Sequence, residues 1–298
     1  MTADVGVLRF DVSSALLLGA RDRQEDAVAT AFSQGADVGF AVLSDGMGGH
    51  AAGDVASRII VSEIFAELTI RTTLPGFRPA GIPVMLREAV QAANRCLRAN
   101  IDADPSMHGM GGTVISIVLA DGRLHWISVG DSVLYLFRDG KLIRLNEDHS
   151  MAPQIDLMVR KGLIDVEDAR DHPQRNCLTS ALFGEDIPAI DCPDTPVPLR
   201  PDDLVLVASD GLEHLSEDEI AALLRRCKRR SSGDIASRLM AGVTGMNDPE
   251  QDNTSLVVVK ADRKAAGARR PFMSLLNMES VFAGLQTLAP ERRPLGRS

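Results

Sequence analysis

The sequence predicts an α+β fold in which antiparallel sheets are covered by helices. Short runs rich in apolar and β-branched residues read as buried strands: Phe40-Ala41-Val42-Leu43, TVISIVLA (113–120), RLHWISV (123–129), VLYLF (133–137) and LVLVAS (204–209). Strands come in groups interrupted by pairs of helical stretches, which argues against the one-to-one alternation of a doubly wound parallel sheet. Asp121-Gly122 and Asp139-Gly140 stand between strand-like runs, as hairpin turns do.

Along the chain, residues 5–43 read as strands that end at the loop Ser44-Asp45-Gly46-Met47-Gly48-Gly49-His50. Two helices are expected over about 53–69 and about 84–100, separated by a loop bearing Pro and Gly. A meander of strands begins at Thr113, and the polar segment of about 151–190 interrupts it as an inserted flap would. The strand LVLVAS runs into Asp210-Gly211, and Ser216 with Glu219 spells a capping box for the next helix. A last helix over about 234–246 leads to a final strand at 253–259.

This organisation sets a main domain over 1–262 against a tail over 263–298. The tail carries seven Lys/Arg and two Glu, a charge of +5; subtracting that from −9 leaves −14 on the preceding residues. Within it, Leu275, Met278, Phe282 and Leu285 repeat at the spacing of a short amphipathic helix.

Composition narrows the function. The 298 residues are 45% hydrophobic and 24% charged, as in an ordinary globular protein. A net charge of −9 opposes general nucleic-acid binding and suits a collector of divalent cations. Cys96, Cys177, Cys192 and Cys227 show no Cys-x-x-Cys spacing, so they read as buried thiols in a reducing compartment. No apolar run approaches the roughly 18 residues of a membrane span, and the N-terminus lacks a basic start. A cytoplasmic protein is expected.

Asp45 and Asp210 differ from the two turn aspartates. Each follows an apolar strand and a serine and precedes a segment that is not strand, so its carboxylate projects from a strand end. On these residues alone, turn and metal ligand both remain open. Glu25-Asp26 behind Arg21, Asp131 in Gly130-Asp131-Ser132, and Asp252 in Gln251-Asp252-Asn253 also lie at element boundaries. Carboxylates without a histidine cluster suit hard cations such as Mg²⁺ or Mn²⁺. There is no Gly-x-Gly-x-x-Gly, no phosphate-binding Lys-Ser/Thr ending, and no Cys-x5-Arg loop.

In order, RDRQED (21–26), SDGMGGHAAG (44–53), GMGGT (109–113), VGDS (129–132), EDHS (147–150), LTSALFG (178–184), ASDGL (208–212) and QDNTS (251–255) resemble the motifs of the bacterial metal-dependent protein phosphatases of type 2C. The resemblance covers about residues 9–260. It implies a β-sandwich of two antiparallel sheets flanked by helices (α-β-β-α), with a flap, and hydrolysis of phosphoserine and phosphothreonine in proteins. Asp45 matches the carboxylate bridging two metals, with the carbonyl of Gly46 on the second metal and Asp210 and Asp252 completing the first. Glu25 and Asp26 would hold metal-bound water or brace the site. Asp131 matches the residue associated with a third metal. Arg21 is the expected phosphate anchor, its guanidinium forming a planar fork for two phosphate oxygens.

The resemblance also implies two Mn²⁺ or Mg²⁺ ions that activate a water for in-line attack, with no covalent phosphoenzyme. Phosphoproteins and a cognate Ser/Thr kinase are the expected partners of a monomer. Some positions depart from the pattern. Gln24 stands for Asn, Val133 follows Gly-Asp-Ser where many relatives carry Arg, and Met47 replaces the histidine to which eukaryotic members assign leaving-group protonation. His50 cannot simply inherit that role, and bracing the next helix is its other reading. The rival function is a silent phosphoprotein- or kinase-binding pseudophosphatase. Loss of Asp45, Asp210 or Asp252 would favour it, and all three are present.

Overall fold

The computed structural model describes residues 8–32, 38–48 and 52–263. One sheet runs in the order β1 (Leu8–Leu17), β11 (Thr254–Arg263), β10 (Leu204–Ala208), β7 (Val133–Arg138), β8 (Lys141–Arg144). The other runs β2 (Asp26–Ala31), β3 (Val38–Met47), β5 (Val114–Ala120), β6 (Arg123–Val129), β9 (Val197–Pro198), with β4 (Gly111–Gly112) paired to the end of β3. The strand pairs are antiparallel. Helices α1 (Ala52–Thr73) and α2 (Ile82–Ala103) cover the second sheet. The segment expected as a flap contains α3 (Ala152–Arg160) and α4 (Val166–Arg170), while α5 (Glu217–Cys227) and α6 (Ser232–Gly245) cover the first sheet. This is the expected α-β-β-α sandwich.

Burial on both faces explains the continuous apolar runs, because the central strands feed two cores in alternation. Phe40 and Val42 pack towards α1 and α2, while Ala41 and Leu43 enter the core between the sheets. On β5, Val114 and Val118 face the helices and Ile115, Ile117 and Leu119 face the other sheet. Ile117 is 0% exposed, so Ile117→Ala leaves a cavity between the sheets. A loss of about 2–5 kcal/mol is expected, read as a lower denaturation midpoint with an unchanged slope.

Two kinds of strand end result. Asp121 (φ 50°) with Gly122 (φ 68°), and Asp139 (φ 52°) with Gly140 (φ 80°), close two-residue hairpins that need positive φ at both positions. These aspartates are turns. The strand registers place Asp26, Asp45, Asp131, Asp210 and Asp252 at the opposite end of the sandwich.

Several boundaries differ from expectation. Asp45, Gly46 and Met47 lie inside β3 rather than in a loop, because Gly46 and Met47 pair with Gly112 and Gly111. A 3₁₀ turn, Asp210–His214, precedes the helix that Ser216 caps. The capping box itself forms: the Ser216 hydroxyl accepts from the Glu219 N–H and the Glu219 carboxylate accepts from the Ser216 N–H. The final strand continues to Arg263 along the whole of β1. Gly49, His50 and the stripe of Leu275, Met278, Phe282 and Leu285 lie outside the described residues. No helix among the described residues is long and apolar enough to cross a membrane.

Candidate metal centre

The carboxylate end of the sandwich is held by short polar bonds between strands distant in sequence. Asp26 and Asp45 face each other across β2 and β3. Thr113, just before β5, locks the backbone of Asp45 from two directions. Its N–H donates to the Asp45 carbonyl at 2.9 Å, and its hydroxyl accepts from the Asp45 N–H at 3.1 Å. Ser209 donates to Asp26 Oδ2 at 2.8 Å and accepts from the Ser255 N–H at 2.9 Å, stitching β2, β10 and β11 together. Asn253 accepts from the Glu25 N–H at 2.7 Å and donates to the Leu18 carbonyl at 2.7 Å. Arg21 reaches Asp252 at 2.6 Å, with 54% of its side chain exposed, so it stands on the rim.

Thr113, Ser209 and Asn253 were not singled out by sequence reasoning beyond their membership of GMGGT, ASDGL and QDNTS. Arg144 was missed altogether. From β8 it donates to the Asp131 carbonyl at 3.0 Å and pairs with Asp148 at 3.4 Å, placing a cation beside Asp131 even though Val133 carries none. His149 braces a turn: its Nδ1 accepts from the Gly130 N–H at 3.2 Å and its backbone N–H donates to the Gly130 carbonyl at 3.1 Å. That bracket holds the Gly130-Asp131-Ser132 turn, where Gly130 has φ 109°.

Burial raises the carboxylates, and they raise one another. Burial pushes Asp45 well above the usual carboxylate range, with the charges of Asp210, Asp26, Asp131 and Asp252 adding to it. Asp210 is raised by burial and then by Asp252. Burial carries Asp26 to about 6 against the lowering hydrogen bonds from Ser209 and Ser255, and carries Asp131 to about 7 with help from Asp210. Glu25 is raised by burial, with Arg21 opposing.

This excess of negative charge fits a divalent cation. Asp26 Oδ1 and Asp210 Oδ1 are buried with no hydrogen-bond partner, and buried anions persist where something positive compensates them. Among the described residues no three acidic, imidazole or thiol side chains converge on one coordination point. Backbone oxygen and water are therefore part of any complete donor set, as hard cations allow. The chain is packed closely at such an oxygen: a Cβ on Gly46 would sit 1.9 Å from the Gly53 carbonyl oxygen.

A pH dependence follows for the protein kept in chelator. Asp26 and Asp131 are raised in the fold above their ordinary value of 3.8, so between about pH 4 and about pH 7 the folded state binds more protons than the unfolded chain. Stability then falls as pH rises through that window. Urea midpoints at about pH 5 and about pH 8 should show the lower value at the higher pH; the reverse order would contradict the buried repulsion.

Residues 19–242 match the protein phosphatase 2C family. The chain is similar to the serine/threonine protein phosphatase PstP of Mycobacterium tuberculosis, 32% identical over 234 residues covering 78% of this chain and 42% of the relative. It therefore spans about two fifths of the length of that relative. It is also similar to the serine/threonine phosphatase stp of Listeria monocytogenes, 31% identical over 76% of this chain and 86% of the relative. A solved catalytic domain of PstP in complex with two manganese ions superposes with a TM-score of 0.68 at 30% identity, over 86% of this chain and all of that one. The order of motifs, the sandwich and the cluster of carboxylates at its end agree with these likenesses, and the chain belongs to the protein phosphatase 2C family.

Proposed function

We propose that this chain is a metal-dependent serine/threonine phosphoprotein phosphatase whose ions are held at the Asp45 end of the sandwich. The observation that carries the proposal is the mutually repelling set of Asp26, which is buried, and Asp45, Asp131 and Asp210, which are half-buried, with unpartnered oxygens on Asp26 and Asp210. Asp45, the Gly46 carbonyl, Asp210 and Asp252 would hold two Mn²⁺ or Mg²⁺ ions. Glu25 and Asp26 would brace the site from behind these ligands, and Asp131 would serve a third ion. When bound, the metals supply a water of lowered pKa and neutralise phosphate charge.

The chain's own residues do the rest. Thr113 holds the backbone of Asp45 and Ser209 holds the Asp26 carboxylate, which limits the search these two residues make when the ions load. Arg21, on the rim, takes the substrate phosphate with its guanidinium fork. Its present partner, Asp252, keeps the fork next to the cluster until substrate competes for it. Phosphoproteins made by a bacterial Ser/Thr kinase are the proposed substrates, the acting species a monomer, and the compartment the cytoplasm, in keeping with four free thiols, of which Cys192 and Cys227 are buried as expected while Cys96 is half-buried and Cys177 exposed.

Release of inorganic phosphate from a phosphothreonine peptide tests the reading. Release should stop in chelator and return with Mn²⁺; peptide binding without phosphate release in Mn²⁺ would overturn it. Within the same assay, Arg21→Lys should raise KM about 10-fold or more while leaving kcat nearer to normal, because an ammonium cannot make the paired donor bonds.

A further inference from the structure

We propose that the recess between the end of α5 and the face of α6 is a second phosphate-binding site, which docks an additional phosphorylated residue of a protein substrate away from the carboxylate cluster. The inference rests on the phosphatase reading for its substrate class, and on the surface itself for the site.

Five cations fall within six residues at Arg225, Arg226, Lys228, Arg229 and Arg230, and Arg238 follows on α6. All six are exposed, in a chain whose net charge is −9. They divide by what answers them. Arg225 donates to the Gly140 carbonyl at 3.0 Å. Lys228 and Arg229 line a hollow shared with Asp139, Asp202 and Asp203. Arg226, Arg230 and Arg238 line a different recess of about 410 Å³, whose other walls are Leu223, Cys227, Ala241 and Gly242. No carboxylate is in that lining, and none of the three arginines forms an ion pair among the described residues. Even Asp234, one turn before Arg238 on α6, does not pair with it.

Three guanidiniums around one recess repel each other unless an anion enters. Their forked donors match the oxygens of a phosphoryl group, whose charge of about −1.5 to −2 answers more than one arginine, better than the single charge of a carboxylate. An apolar floor below a charged rim suits a peptide side chain carrying phosphate. A lipid surface would call for apolar side chains projecting outward, and a nucleic-acid duplex for a longer basic stripe.

Position gives the site its use. The start of α5 lies by the Tyr135 hydroxyl, which donates to Glu217 at 3.0 Å, and its end reaches Gly140 in the turn at the far end of β7. The recess is therefore displaced from the carboxylate cluster by roughly the length of β7, about 20 Å at 3.3 Å per residue. A substrate with two phosphates about six or more residues apart, the extended reach of that distance, can hold one in the recess while the other is hydrolysed, which raises the effective concentration of the second.

The test compares singly and doubly phosphorylated phosphothreonine peptides on the full chain in Mn²⁺, together with R226Q/R230Q/R238Q, whose changed side chains are exposed. Wild type should show a KM at least about tenfold lower for the doubly phosphorylated peptide. The triple variant should lose that advantage and keep wild-type kcat and KM on the singly phosphorylated one. Equal KM values for both peptides in wild type, or a loss shared equally by both peptides in the variant, would overturn the proposal. So would a peptide with Glu in place of the docking phosphothreonine that binds as well, or arginine-dependent sedimentation with phosphatidylserine/phosphatidylcholine vesicles while peptide binding is unchanged. Should wild type hydrolyse neither peptide, the catalytic reading fails separately. Fluorescence anisotropy of the same peptides then decides the recess: arginine-dependent preference for the second phosphate supports it, and no preference overturns it.

Discussion

In Asp45→Asn, metal-dependent hydrolysis should fall by at least about 1,000-fold while the protein held in chelator becomes more stable. The first effect follows from losing an anionic oxygen that the proposed site needs, since metal charge stabilisation contributes several kcal/mol to such reactions and each 1.36 kcal/mol is tenfold. The second has the opposite sign because Asp45 is raised by burial and by four neighbouring carboxylates, Asp210, Asp26, Asp131 and Asp252. An amide at that position removes a buried charge and offers N–H donors to the acceptors beside it. Thermal unfolding in chelator reports the stability and phosphate release in Mn²⁺ reports the activity. A variant that loses both would mark Asp45 as a structural residue instead.

Gly46→Ala should weaken Mn²⁺ binding by about 10–100-fold, the range for altered support around a metal, and lower stability by about 2 kcal/mol or more. The added methyl would lie 1.9 Å from the Gly53 carbonyl oxygen and 2.7 Å from that of Glu25. Both are backbone atoms, so the end of β3 would have to move away from α1 and from the approach to β2. Gly81 provides the contrast. It has φ −86° and nothing within 4 Å of an added Cβ, so Gly81→Ala should change stability by no more than about 0.5 kcal/mol. Calorimetric titration of Mn²⁺ into both variants separates the effects, and equal affinities would show that the Gly46 carbonyl is not used.

The layers were legible in the sequence because strands buried on both faces leave uninterrupted apolar runs, as in TVISIVLA and LVLVAS. Context also sorted the Asp-Gly pairs. Between two strands, Asp121 and Asp139 adopt positive φ in hairpins, whereas Asp45 and Asp210 lie at the other end of the sandwich. The supports of the carboxylates were hidden for a physical reason. Ser209 reaches Asp26 across 183 residues and Asn253 reaches the Glu25 backbone across 228, and such bonds impose no local period or propensity. Arg144 ends a short exposed-looking strand, so nothing in KLIR announces its bond to the Asp131 carbonyl. The extension of β3 through Gly46 likewise depends on Gly111-Gly112, more than sixty residues later.

The most direct measurement is Mn²⁺ binding and phosphate release followed together in wild type and Asp210→Ala. Wild type should bind at least two Mn²⁺ per chain, with hydrolysis of a phosphothreonine peptide rising as the sites fill. Asp210→Ala should bind fewer ions and release phosphate at least about 1,000-fold more slowly. Equal rates in the two proteins, or full Mn²⁺ occupancy of wild type without phosphate release, would contradict metal-assisted hydrolysis at the carboxylate end of the sandwich.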